Sequence, residues 1–289
     1  MPLSARAWVA LQYLLPQHAI TALVHRLTRL RTRWLRRWLI HGFLRLHAVA
    51  LDEAEEPDPD RYATFNEFFT RALRAGARPV AAGDGELASP CDGTVSQRGA
   101  IDGEQLLQAR LAAKNRTYTL TELLGDAVAA RDFVAGDFAT IYLAPGNYHR
   151  VHVPFAGRLC SVGYVPGRLF SVSETTTGLV PRLFARNERV VCRFDTVAGP
   201  LAVILVGALN VGSIAIVGLG DLTPRQSRRP QAFAIPAAMR DFARGAELGR
   251  FNMGSTVILL LPRGRCEWAG GFGPGATVRM GAPIGRLRS

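Results

Sequence analysis

The sequence predicts a mainly β fold of the α+β kind, in which a barrel- or sandwich-like core follows amphipathic N-terminal helices. Three observations predict it. Between residues 93 and 261 the chain breaks into short β-rich runs punctuated by Gly and Pro, among them "GTVSQRGAI", "FATIYLAP", "RVVCRF" and "STVILLL", the texture of many brief strands joined by turns. Residues 20 to 38 instead repeat their apolar side chains at the helical period. Between these regions "LDEAEEPDPD", residues 51 to 60, reverses the charge abruptly and carries two prolines, which marks a boundary. The division expected is a basic helical segment, residues 1–51, and a mainly β domain, residues 52–289.

The first segment holds eight arginines and no Asp or Glu. On a helical wheel Ile20, Leu23, Val24, Leu27, Leu30, Trp34, Leu35 and Trp38 share one face, and Arg26, Arg29, Arg33, Arg36 and Arg37 the other, with only Arg31 misplaced. Tryptophan on the apolar face and arginine on the polar one suit an interfacial membrane helix. The alternative is a helix packed on its own domain with a solvated basic face. The net charge of +12 is almost all arginine, since Lys114 is the only lysine, and it favours a polyanionic partner. Nucleic acid would leave the Trp and Leu face unused, so an anionic membrane surface is the partner expected.

Further along, Thr64 and Glu67 stand as a capping box for a short helix in "RYATFNEFFTRAL". Residues 201 to 220 carry no charge and have the length of a membrane span. Gly207, Asn210, Gly212 and Ser213 divide that stretch, however, so it reads as two buried strands with a turn. Cys91, Cys160, Cys192 and Cys266 form no C-x-x-C pair, so neither a zinc site nor a disulfide framework is expected, and the N-terminus has no secretory signal pattern. A reduced, cytosolic setting follows.

Three places combine reactive side chains with turn or strand-end positions: Asp92 in "SPCDGTV", His149 and His152 in "YLAPGNYHRVHVP", and Ser255 in "MGSTV". Asp-Gly and Gly-Ser are also ordinary turn pairs. Residues three apart on a regular strand face opposite ways, so His149 and His152 can share a site only if the strand bends, and different tasks for each are expected. No third ligand accompanies them at a metal-binding spacing, and no metal is expected. Asp, His and Ser are the materials of a nucleophilic triad. The G-x-S-x-G elbow of the usual hydrolases is absent around Ser255. A serine between Gly254 and Thr256 at a strand entrance is instead placed to attack its own preceding carbonyl.

From about residue 60 the chain carries, in order, the blocks "FNEFFTRALR", "SPCDGTVSQ", "YLAPGNYHRVHVPFAG", "YVPGRLFSV", "LFARNERVV", "LVGALNVGSI" and "ELGRFNMGSTVILLLP". Through these blocks it resembles the phosphatidylserine decarboxylase proenzymes of bacterial type. The resemblance implies self-cleavage between Gly254 and Ser255, which leaves a β chain, residues 1–254, and an α chain, residues 255–289, whose first residue becomes a pyruvoyl group. It implies a self-cleavage triad of Asp92, His152 and Ser255, with His152 as base and Asp92 as its orienter, and a part for His149 in decarboxylation as proton donor. It also implies that the pyruvoyl carbonyl forms a Schiff base with phosphatidylserine, releasing CO2 and phosphatidylethanolamine. The partners implied are this lipid, the anionic surface that holds it, and the chain's own two products, in an arrangement compatible with a homo-oligomer. Location is then peripheral, on the cytoplasmic face of the cell membrane. Two other classes stay open: a Ser-His-Asp hydrolase without self-cleavage, and a noncatalytic membrane-binding β module. Both predict an intact chain.

Overall fold

The computed structural model describes residues 3–109, 116–209, 213–222, 229–253 and 255–288. Three helices lead the chain: α1 (Leu3–Leu14), α2 (Gln17–Leu27) and α3 (Arg33–Leu46). The single wheel drawn from Ile20 to Trp38 is therefore two helices. The Thr28 hydroxyl donates to the Val24 carbonyl at 2.9 Å as α2 ends, and the chain stays non-helical until Thr32 caps α3. Arg31, the residue misplaced on the wheel, lies in this break.

Helices α1 and α2 turn polar side chains inward. The Gln12 side-chain oxygen accepts the Ser171 N–H at 2.8 Å, and that of Gln17 accepts the Leu169 N–H at 2.9 Å. Thr21 and Thr28 are buried as well. Leu11, Leu14, Leu23, Leu27, Leu30 and Leu46 face outward, and Trp34 and Trp38 are 71% and 70% exposed. The polar face of the wheel is partly occupied by the protein itself. Arg29 pairs with Asp221 at 3.1 Å, Arg37 pairs with Asp60 at 3.0 Å, and Arg36 donates to the Asp60 carbonyl. Arg26 and Arg33 are exposed.

Helix α3 buries Ile40 in a cluster with Tyr62, Phe65, Phe68 and Phe69, the last three from the short helix α4 (Phe65–Phe69). Thr64 caps α4 as expected, accepting the Glu67 N–H at 3.0 Å. The reciprocal bond of the box falls one residue earlier, from the Ala63 N–H to the Glu67 carboxylate at 2.7 Å.

The strands around the site are β1 (Gly93–Ala100), β2 (Asp137–Leu143), β3 (Arg150–His152), β4 (Gly157–Val165), β5 (Arg189–Thr196), β6 (Gly199–Val206), β7 (Ile214–Ile216), β8 (Glu247–Phe251) and β9 (Ser255–Leu261). The main sheet is antiparallel in the order β4-β5-β6-β9-β2-β1, extended by Gln231–Phe233 beside β4 and Thr277–Val278 beside β1. A smaller sheet orders β7-β8-β3, with Gly220–Leu222 beyond β7. The uncharged stretch 201–220 thus supplies β6 and β7, two strands rather than a span; Asn210 and Gly212 lie outside the described residues. No helix among the described residues is long and apolar enough to cross a membrane.

Strand β9 is central, paired with β2 on one side and β6 on the other. Its residues from Thr256 to Leu261 are at most 1% exposed. Both faces of the sheet are covered here, which is why the strand reads as a continuous apolar run and not as an alternation. Each Val, Ile or Leu buried in this way contributes about 1.5–3 kcal/mol.

Candidate active site

The chain crosses between the two sheets twice at one place. Strand β2 leads through residues 144–149 to β3, and β8 leads through residues 252–254 to β9. Because β8 pairs with β3 and β9 pairs with β2, the two crossings run side by side. The His149 carbonyl accepts the Phe251 N–H at 3.0 Å, and Ser255 stands opposite Leu143. Gly254 lies outside the described residues, as does the Ser255 side chain.

Asp92 reaches the same end of the sheet from a third direction. Thr94 of β1 stands opposite Tyr142, which stands opposite Thr256 of β9, so Asp92 lies just past the end of this row. Gly93 is required there, since a Cβ would strike the Tyr142 carbonyl. The loop before β1 is also sewn to the histidine strand, with the His152 backbone N–H donating to the Pro90 carbonyl at 2.7 Å.

The expected carboxylate-to-imidazole link is not made. One Asp92 oxygen accepts the Met280 N–H at 2.7 Å and the Arg78 Nε at 3.2 Å, and the other accepts a terminal Arg78 nitrogen at 2.7 Å. The same guanidinium binds Glu53 at 2.8 Å. Burial works against the Arg78 cation, but the bonds to Asp92 and Glu53 outweigh it and hold it protonated. Asp92 is therefore bound to Arg78 and to the chain beyond β9, and it is not the group that orients His152.

A backbone carbonyl orients His152 instead. Its Nδ1 lies 2.8 Å from the Gly245 carbonyl, and a carbonyl only accepts, so Nδ1 carries the proton. Nε2 is then the lone pair, and it accepts the Tyr148 hydroxyl at 2.9 Å. Burial pushes this imidazole below its ordinary pKa, opposed by the bond to Gly245 and by the charges of Glu247 and Asp92. Burial also raises the Tyr148 phenol, which keeps it a donor.

His149 is fully buried, with its ring centroid 4.0 Å from that of Phe69. Its Nδ1 donates to the Asn147 carbonyl at 2.8 Å, so the same tautomer logic leaves Nε2 with the lone pair. That nitrogen has no hydrogen-bond partner. Burial, and after it the Arg71 charge, push the imidazole down to about 3. The two histidines thus have distinct settings, as expected of residues three apart: one base nitrogen is bonded to Tyr148, and the other is open. A cavity of about 180 Å³ lies by Tyr148 and Asp92, lined also by Arg71, Arg78, Asn147 and Arg279, with neither histidine in its wall.

Comparisons with known proteins give the family. The family model described as phosphatidylserine decarboxylase matches residues 65–286, and a second, described as PSD, matches residues 7–47. The chain belongs to the phosphatidylserine decarboxylase family. It is 47% identical to a phosphatidylserine decarboxylase proenzyme of Methylococcus capsulatus, over 98% of this chain and 97% of that one. Against the proenzyme of Alcanivorax borkumensis it is 47% identical over 99% and 97%, and against that of Alkalilimnicola ehrlichii 51% identical over 87% and 86%. The chain is accordingly a decarboxylase.

Tyr148, Gly245 and Arg78 were not among the residues expected at the site. Tyr148 adjoins His149 in sequence and could have been found from that position. Gly245 acts through its carbonyl, which leaves no side-chain signal. Arg78 is one arginine among many until its two carboxylate partners are known. The described residues contain no group of three His, Cys, Asp or Glu suited to a metal ion, and all four cysteines are free thiols.

Proposed function

We propose that the chain is a self-processing, pyruvoyl-dependent phosphatidylserine decarboxylase, cut between Gly254 and Ser255 into a β chain of residues 1–254 and an α chain of residues 255–289. The observation that carries this reading is the double crossing, which sets the start of β9 against the loop bearing His149 and leading to His152. His152 serves as base toward the Ser255 hydroxyl at Nε2, the nitrogen that its Gly245 bond leaves unprotonated. The Tyr148 hydroxyl holds that lone pair in place at rest and turns away as the nitrogen takes up the serine proton. Asp92 acts at one remove, by its charge on His152 and by its grip on Met280.

The site suits a pyruvoyl group on an observation of its own: a wholly buried imidazole offers an unpartnered acceptor nitrogen beside the entrance to β9. A buried nitrogen of that kind is unfavourable unless something occupies it. When bound, the group supplies an electron sink for the pair released with CO2. His149 holds and returns a proton at Nε2, and an anionic substrate beside it raises its pKa into the working range. No metal is invoked. The α chain stays in place after cleavage because β9 is hydrogen-bonded on both sides, the Pro283–Leu287 strand pairs with Glu86–Ala88, and Asp92 holds Met280.

The substrate's location accounts for the N-terminal helices. Their outward Leu and Trp side chains suit insertion at an anionic lipid surface, with Arg26 and Arg33 left to meet head groups. The protein then sits peripherally on the cytoplasmic face of the membrane. The test is conversion of phosphatidylserine to phosphatidylethanolamine in mixed micelles: the wild-type protein releases CO2 and Ser255→Ala releases none. Equal activity in the two would remove Ser255 from the chemistry.

A further inference from the structure

The turn between α2 and α3 reaches into the cleavage site. Asn252, two residues before the bond to be cut, is 2% exposed and has every polar group occupied. Its backbone N–H donates to the Ser213 carbonyl at 3.0 Å. Its side-chain amide donates to the Ser213 hydroxyl and, at 3.1 Å, to one Asp221 oxygen. Its own two oxygens accept from the Asn66 side chain at 3.2 and 3.3 Å. Two residues of the α2–α3 turn hold the groups that hold Asn252: the Thr28 carbonyl accepts the Asn66 N–H at 2.9 Å, and Arg29 donates to the other Asp221 oxygen at 3.1 Å. Met253, the next residue, packs against both the main core and the aromatic cluster under α3.

We propose that Arg29 is a positioning residue for self-cleavage, acting through Asp221 on Asn252, so that the N-terminal helices form part of the processing site as well as a membrane-facing surface. The inference rests on the self-processing reading above. Physically, intramolecular attack by a serine on the preceding carbonyl depends on a narrow geometry, and displacing a reacting group by about 1 Å costs up to about a hundredfold in rate. An Asn whose donors and acceptors are all engaged fixes the chain just before that carbonyl. An ion pair half open to water contributes little to global stability, so loss of Arg29 should loosen the turn without unfolding the protein.

The experiment follows the conversion of freshly synthesised full-length chain to its two products, without vesicles, for wild type, Arg29→Lys, Arg29→Gln, Asp221→Asn and the Arg29→Gln/Asp221→Asn double variant. The expected result is slowing of roughly tenfold or more in Arg29→Gln, near-normal cleavage in Arg29→Lys, and a double variant no slower than the slower single, because the two residues act as one unit. Asp221→Asn, which conserves shape, is read separately and decides the matter if Arg29→Gln does not fold. Wild-type rates in the folded single variants overturn the inference. So does slowing that multiplies in the double variant, or slowing that appears only when anionic vesicles are added, which would place Arg29 on lipid. A wild-type chain that is never cut refutes the self-processing reading instead, and the two failures are told apart in the same gel.

Discussion

Helices α1 to α3 and strand β9 solve opposite problems. In the helices, Gln12, Gln17, Thr21 and Thr28 face the protein while Leu14, Leu23, Trp34 and Trp38 face outward. In β9, Thr256 through Leu261 are all enclosed. A contiguous exposed apolar patch, unlike scattered surface hydrophobics, is the mark of an interaction surface. Three of these polar residues find partners, Gln12 and Gln17 in the Ser171 and Leu169 amides and Thr28 in the Val24 carbonyl, whereas the Thr21 hydroxyl has none. The helices hold apolar side chains outside the fold, and the strand holds its own inside. The histidines proposed for catalysis lie where the two meet, since the Phe69 ring under α3 lies tilted against that of His149, 4.0 Å between centroids.

The sharpest way to separate the two regions is His149→Phe. It keeps the aromatic contact and removes the open nitrogen, so decarboxylation should fall on the order of 10²- to 10⁴-fold while self-cleavage, assigned to His152, continues. Cleavage and activity lost together would merge the two roles. Stability should respond to pH through the same residue. Its folded pKa of about 3 lies below the ordinary value of about 6.5. Between those values the unfolded chain binds a proton that the native one does not. Stability is therefore full above the upper value and falls as pH drops toward the lower, by up to about 1.4 kcal/mol per pH unit. Denaturant titrations of wild type and His149→Phe should show a shallower acid slope in the variant.

A smaller effect is expected from Tyr148→Phe. One hydrogen bond of about 1 kcal/mol is lost at His152, and pulse-chase measurement should show self-cleavage slowed by about fivefold. An unchanged rate would leave Tyr148 as packing alone. On the helical side, Trp34→Ser combined with Trp38→Ser should reduce sedimentation with anionic vesicles and shift the denaturation free energy by less than about 0.5 kcal/mol, as for other exposed positions. Undiminished binding would sink the helices as the membrane-facing surface.

The sequence made some of this legible and hid the rest for identifiable reasons. The run "STVILLL" announced a buried strand because its apolar residues are continuous, and the charge reversal after residue 51 comes a few residues past the end of α3 at Leu46. The break between α2 and α3 was invisible to the wheel, because the Thr28 hydroxyl bond that ends α2 and the extended backbone of Thr32 before α3 are local features that periodicity does not register. The residue types Asp92, His149 and His152 were visible, but their wiring was not. Which group orients an imidazole depends on distances across the fold, and here a glycine carbonyl takes the place expected of the Asp92 carboxylate.

The central claim is that Ser255 is used to cut the chain, and intact mass measurement of the purified protein beside Ser255→Ala tests it most directly. The account predicts two fragments in the wild type that meet at residues 254 and 255, the smaller beginning with a pyruvoyl group, and one uncut chain in the variant. A single uncut chain in both samples would contradict it.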